Sequence, residues 1–219
     1  QRFPRFADCA AEMKAQGIHL VPIIDAAVKV EDGYDVYEEG VKNGYFCTNQ
    51  DGTPFVAGVW PGRVHFPDML NPEARAWFGS QYKVLLDQGI EGFWNDMNEP
   101  ASFNGPLPDD VVFYDEETPS CHKTMHNVYG HYMSKATYEG LQKLDDKRPF
   151  VITRACYSGT QKYAVVWTGD NNSLWTHLRM AIPQLCNLGM SGFAFAGTDV
   201  GGFGSDVTSE LLIRWYQVG

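Results

Sequence analysis

Asn71-Pro72-Glu73-Ala74-Arg75-Ala76-Trp77-Phe78-Gly79-Ser80-Gln81-Tyr82-Lys83-Val84-Leu85-Leu86-Asp87-Gln88-Gly89-Ile90-Glu91-Gly92-Phe93-Trp94-Asn95-Asp96 reads as one helix–strand phrase. Asn71 suits the N-cap, Pro72 the first helical turn, and Glu73 complements the positive end of the helix dipole. Trp77, Phe78, Leu85 and Leu86 supply an apolar face, and Gly89 stops the helix. The strand Ile90 to Asn95 then delivers a carboxylate, Asp96.

The phrase recurs. Upstream, Phe6 to Gln16 places Phe6, Ala10 and Met13 at helical spacing, Gly17 can take the left-handed C-terminal position, and Ile18 to Ile24 is a strand ending on Asp25. Downstream, a helix over Tyr129–Leu144 turns at Asp145-Asp146-Lys147 into the strand Pro149–Thr153, which delivers Arg154. Strand Ala164–Trp167 leads to Asp170, and a helix over about Leu174–Leu188 ends at Gly189. Strand Ser191–Gly197 delivers Asp199, and a last helix begins near Ser209. Apolar strands alternating with helices indicate a parallel sheet covered on both faces. In a (β/α)8 barrel such strand ends converge on one site. A doubly wound open sheet would also bind ligand there, but no Gly-x-Gly-x-x-Gly follows a strand, and Gly201-Gly202-Phe203-Gly204 lacks the dinucleotide spacing.

With 219 residues, 44% of them hydrophobic, one large domain is expected. Residues 26–70 and 104–128 are two long irregular insertions, placed as lid or subsite walls. The net charge of −10 and the lack of a basic stripe argue against a nucleic-acid partner. A neutral or cationic ligand fits better than a polyphosphate, and solubility alone is the competing account of the acidity. Cys9, Cys47, Cys121, Cys156 and Cys186 are odd in number, widely spaced and without Cys-x-x-Cys, which suggests neither a zinc site nor a disulfide framework. His122 and His126 stand at i, i+4 without a third ligand, so no metal is expected, and no cofactor. No apolar run reaches the ~18 residues of a membrane span. The chain opens Gln1-Arg2-Phe3 without Met and closes at Gly219; both ends read as cuts.

Asp96 beside Trp94 suits a nucleophile in a sugar pocket, a helix cap, or a partner for Arg154. Asp170, in Trp167-Thr168-Gly169-Asp170-Asn171, suits a general acid or an N-cap for the helix near Leu174. Shielding by Trp167 would raise its pKa, and Gly169 would permit close backbone approach. A carboxylate pair is what glycoside hydrolysis requires: one attacks the anomeric carbon while the other protonates the leaving oxygen.

Trp94-Asn95-Asp96-Met97-Asn98-Glu99-Pro100 resembles the nucleophile signature of glycoside hydrolase family 31, the α-glucosidase and α-xylosidase family. Pro22-Ile23-Ile24-Asp25, Val59-Trp60-Pro61-Gly62, Phe66-Pro67-Asp68, His126-Asn127-Val128-Tyr129-Gly130, Arg148 to Arg154, Trp167 to Asn171 and Gly197 to Phe203 match in order. The resemblance implies a retaining α-glycosidase that removes terminal α-linked glucose from oligosaccharides, with Asp96 as nucleophile and Asp170 as general acid/base. It implies Asp25 on distal hydroxyls of the sugar, Arg154 beside the nucleophile with a charge that keeps it ionised, and Asp199 supporting Arg154. Trp60, Trp94, Trp167, Phe103 and Phe203 would be apolar walls, joined by Met97, with Ile24 at the pocket floor. Glu99 is expected to bond loop amides behind the nucleophile, and Asp68 to be a loop or cap residue. An α-xylosidase, an α-transglucosylase and a catalytically inactive carbohydrate-binding homologue are the competing readings.

The implied fold is an incomplete (β/α)8 TIM barrel within one partial catalytic domain, residues 1–219. About strands 3–7 are present. The missing barrel strands and the family's flanking β-domains are its expected structural partners, and an open barrel with exposed edges follows.

Overall fold

The computed structural model describes residues 3–114 and 119–219. Gln1, Arg2 and residues 115–118 of the second insertion lie outside the described residues. In chain order the helices are α1 Phe6–Ala15, α2 Asp35–Asn43, α3 Pro72–Ser80, α4 Lys83–Leu86, α5 His122–Met125, α6 Tyr129–Leu144, α7 Trp175–Met190 and α8 Ser209–Tyr216. The strands are β1 Ile23–Asp25, β2 Val28–Lys29, β3 Ala57–Val59, β4 Gly62–His65, β5 Gly92–Asp96, β6 Val112–Phe113, β7 Ser120–Cys121, β8 Phe150–Thr153, β9 Val165–Trp167 and β10 Ala196–Gly197.

Five strands form one sheet in the order β1-β5-β8-β9-β10, every neighbour parallel. Sequential parallel order, with helices between all neighbours except β8 and β9, which a short 3-10 turn at Thr160–Lys162 connects, is the architecture of an incomplete (β/α)8 barrel. It aligns the C-terminal ends of all five strands on one rim.

The helix read from Asn71 begins as expected: Asn71 Oδ1 accepts from Glu73 N at 2.9 Å and from Ala74 N at 3.4 Å. It breaks after Ser80 and resumes as the single turn α4, and Gly89 follows with φ of 91°. Asp68, the expected cap residue, is buried and accepts from Leu70 N at 3.0 Å and Tyr114 N at 2.5 Å. α3 and α6 cross backbone to backbone: a Cβ on Gly140 would lie 2.5 Å from Gly79 Cα. Between these helices and the sheet sits the main core, including Trp77, Phe78, Ile90, Phe93, Met133 and Val151. A smaller cluster of Leu178, Leu211 and Trp215 joins α7 to α8.

Three expectations are corrected. Neither insertion is irregular: 26–70 carries α2 and an antiparallel sheet ordered β2-β4-β3, and 104–128 carries the antiparallel pair β6-β7 and α5. α7 continues through Gly189 to Met190, and the left-handed residue is Gly192, φ 90°. The strands read over 18–24 and 191–197 shrink to Ile23–Asp25 and Ala196–Gly197.

Candidate active site

Strand alternation decides which side chains reach the rim. In β5, Phe93 and Asn95 are buried. Asn95 faces the helix layer, where its Oδ1 accepts from Tyr82 Oη at 3.1 Å and its Nδ2 donates to Thr137 Oγ1 at 3.0 Å. Trp94 and Asp96 therefore face the opposite side. Asp25 pairs in register with Asp96, and Ile23 with Trp94, so Asp25 shares the face of Asp96. Ile24 pairs with Asn95 and packs against the main core, which places it away from the pocket floor expected for it.

Arg154 directly follows β8 and lies at the centre of the charged groups. Its Nη1 is 3.1 Å from Asp96 Oδ1, with 18% of each side chain exposed. That oxygen has no aligned hydrogen bond, so the contact is an ion pair. Arg154 Nε donates to Glu99 Oε1 at 2.8 Å and Nη2 to Glu99 Oε2 at 2.9 Å. Nη2 also lies 3.1 Å from Met97 Sδ. Two expectations fail here. Glu99 binds Arg154 rather than loop amides, and no ion pair joins Arg154 to Asp199 among the described residues. Burial works against the charge on Arg154, yet Glu99, Asp96 and Asp170 together raise its pKa.

Burial raises the pKa of Asp25, and the charge of Asp96 adds to it while Arg154 opposes. Burial likewise raises that of Asp199, with Asp170 adding to it. Asp170 itself is exposed, so the apolar shielding expected from Trp167 is not provided. Trp167 instead meets Trp94 edge to face, ring centroids 5.0 Å apart at 88°. Gly169 has φ of 79° and nothing within 4 Å of an added Cβ. It is needed for its left-handed backbone, not for close approach.

The loops after β9 and β10 are laced together. Asn171 Nδ2 donates to Thr198 Oγ1 at 2.9 Å, and Phe203 N donates to Asn171 Oδ1 at 3.0 Å. At Gly202, φ 96°, a Cβ would lie 2.4 Å from Ser173 N. The lacing ties the Asp170 loop to the Asp199 loop. Phe203 is exposed. Trp60, on the β3–β4 turn, is 75% exposed and meets Phe103, 56% exposed, edge to face at 4.8 Å. Phe103 N donates to Gly58 O at 2.8 Å, so the hairpin and the loop after β5 form one aromatic ledge.

Among the described residues, the buried polar side-chain atoms without a hydrogen-bond partner include Trp94 Nε1, Trp167 Nε1, Asp96 Oδ1 and Asp199 Oδ2. Unpaired buried donors and acceptors are rare in folded proteins. Here the two indole N–H groups and Asp199 Oδ2 have no partner, while Asp96 Oδ1 has only its ion pair with Arg154. Asn98 and Asn171 are positioning groups that sequence reasoning missed, and Glu99 is one whose partner it misassigned; each lies within three residues of a strand-end aspartate.

Residues 1–219 match the model of the glycosyl hydrolases family 31 TIM-barrel domain. Alpha-glucosidase 2 of Bacillus thermoamyloliquefaciens is 49% identical over all of this chain and 28% of its own length. A probable glucan 1,3-alpha-glucosidase of Arabidopsis thaliana is 40% identical over 99% of this chain and 24% of its own. Among solved structures, the Tris-bound glucosidase II alpha subunit superposes with a TM-score of 0.91 at 37% identity, covering 98% of this chain and 24% of that one. This chain thus spans about a quarter of the length of the curated relatives it matches. Matched from end to end by the barrel model, it belongs to glycosyl hydrolase family 31.

Proposed function

We propose that the protein carrying this chain is a retaining α-glucosidase that releases terminal α-linked glucose from oligosaccharides. Residues 1–219 are read as part of one catalytic barrel domain, with loop insertions at about 26–70 and 104–128. One observation carries the reading: two strand-end carboxylates lie in unlike surroundings. Asp96 is largely buried against Arg154, while Asp170 is exposed two strands away. Arg154 sets beside Asp96 the charge that suits a carboxylate nucleophile, and exposed Asp170 is open to proton exchange with water, as an acid/base must be.

In this reading Asp96 attacks the anomeric carbon and forms a glycosyl-enzyme as Asp170 gives its proton to the departing oxygen. Asp170 then takes a proton from water, which displaces Asp96 and restores the α configuration. Asp25 accepts from hydroxyls of the bound glucose. The indole N–H groups of Trp94 and Trp167 and the free oxygen of Asp199 suit hydroxyls, which both donate and accept. Trp60 and Phe103 stack the outer sugar, whose apolar face fits an exposed aromatic ledge. The names of the relatives favour glucose over xylose.

The test is covalent trapping with 5-fluoro-α-glucosyl fluoride in the full protein. Peptide mass spectrometry is expected to find the label on Asp96 and to lose it in Asp96→Ala. Label on another carboxylate would overturn the assignment.

A further inference from the structure

The loop after β5 is wired to the segment after β8. Arg154 N donates to Asn95 O at 3.1 Å. Asn98 Nδ2 donates to Thr153 Oγ1 at 2.9 Å, and its Oδ1 accepts from Ala155 N at 3.0 Å. Met97 turns the chain between Asp96 and these groups with φ of 54°, a left-handed conformation that costs energy in any residue but glycine. α6 closes the wiring from below: a Cβ on Gly130 would lie 2.8 Å from Asn98 O and 2.9 Å from Ala155 O. Glu99 sits at the end of this fixed turn and grips Arg154 through Nε and Nη2. Those two nitrogens form one edge of a rigid, planar group. With that edge held, the direction of Nη1 is set.

We propose that Glu99 is a positioning residue for the nucleophile, holding Arg154 by one edge so that Nη1 faces Asp96 Oδ1. The proposal rests on the reading of Asp96 as nucleophile. It differs from a role in charge balance. Removing a negative charge with Arg154 still in place would strengthen the positive field at Asp96 and move the acid limb of kcat/KM to lower pH. Releasing Arg154 weakens that field and moves the limb to higher pH.

The experiment measures kcat, KM and the pH profile of kcat/KM for wild type, Glu99→Gln and Glu99→Asp in the full protein, with the fluoride label mapped in the wild type. Aspartate keeps the charge but is one methylene too short for the fork, so it carries the same test if the glutamine variant does not fold. Both variants are expected to lose about 100-fold in kcat with KM little changed, and the acid limb of Glu99→Gln is expected to rise. Wild-type kinetics in Glu99→Asp, or an acid limb in Glu99→Gln that falls or stays in place, would overturn the proposal alone. Label away from Asp96 in the wild type would overturn the underlying reading, and the proposal with it.

Discussion

Asn98→Ala tests how firmly the strand-end loops are held. Asn98 is fully buried. Its Nδ2 donates to Thr153 Oγ1 at 2.9 Å and its Oδ1 accepts from Ala155 N at 3.0 Å. Removing the first bond leaves Thr153 Oγ1 donating to Ala155 O at 2.9 Å, so the loss is that of an ordinary hydrogen bond, about 1 kcal/mol. Removing the second leaves the Ala155 N–H without a partner, which costs about 1–3 kcal/mol. The sum is about 3 kcal/mol, or a drop in Tm of roughly 6–12 °C for a domain of this size. Thermal and urea unfolding measure it, with an unchanged m-value required for a clean comparison. Thr153→Val combined with Asn98→Ala is expected to be less than additive by about 1 kcal/mol, since both remove one shared bond. A loss below about 1 kcal/mol in Asn98→Ala, or strict additivity in the pair, would refute the reasoning that these bonds hold the two loops together.

Gly140→Ala would place a Cβ 2.5 Å from Gly79 Cα, where only backbone can give way, so a loss of about 1–3 kcal/mol is expected. Gly189→Ala meets nothing within 4 Å in α7 and is expected to stabilise by about 0.5–1 kcal/mol; melting curves of the two variants test both. Hydrogen bonds from Lys14, Lys147 and His19 hold the Glu91 carboxyl down at about 2. A carboxylate with a lowered pKa stabilises the fold above its unfolded value and loses that contribution as pH falls toward the folded one. Glu91→Gln is therefore expected to melt lower at pH 7 and to flatten the fall in Tm between pH 5 and 2. Asp25 has the opposite sign: its raised pKa makes its charge a cost at neutral pH. Asp25→Asn is expected to raise Tm at pH 7 and to raise KM for glucosides; a lower Tm would refute the sign.

The placement of the candidate residues at strand ends was legible because helix caps and strand ends are local features. Asn71 caps α3, Gly17 and Gly89 take left-handed backbone, and Asp25 and Asp96 end their strands. The 26–70 insertion was not legible. Its three paired strands span two to four residues each, too short to show an alternating pattern. Glu99 was misread for a different reason. Its partner lies 55 positions away, and nothing local in Met97-Asn98-Glu99-Pro100 specifies which group its carboxylate meets. Ile24 was misplaced because period-two alternation gives two faces without saying which is inward. Only pairing with Asn95, whose amide is committed to Tyr82 and Thr137, decides it.

That commitment also bears on why buried polar residues stand in the helix–sheet interface. An apolar residue at position 95 would sit in the helix–sheet core without any directional demand. Asn95 instead must satisfy a carboxamide that has no exposed surface, and it does so with Tyr82 and Thr137. A buried amide left unpaired costs several kcal/mol, while its bonds when made contribute about 1 kcal/mol each. The network therefore contributes little net stability but penalises any shift of β5 that breaks it. The same reasoning applies to Asn98, one turn of the chain later, facing Thr153 and Ala155. Asp96 sits between these two asparagines, so its backbone is fixed from both sides by groups that tolerate little displacement. The position of the proposed nucleophile is thus set by residues whose amides are committed to the helix layer and to the end of the neighbouring strand.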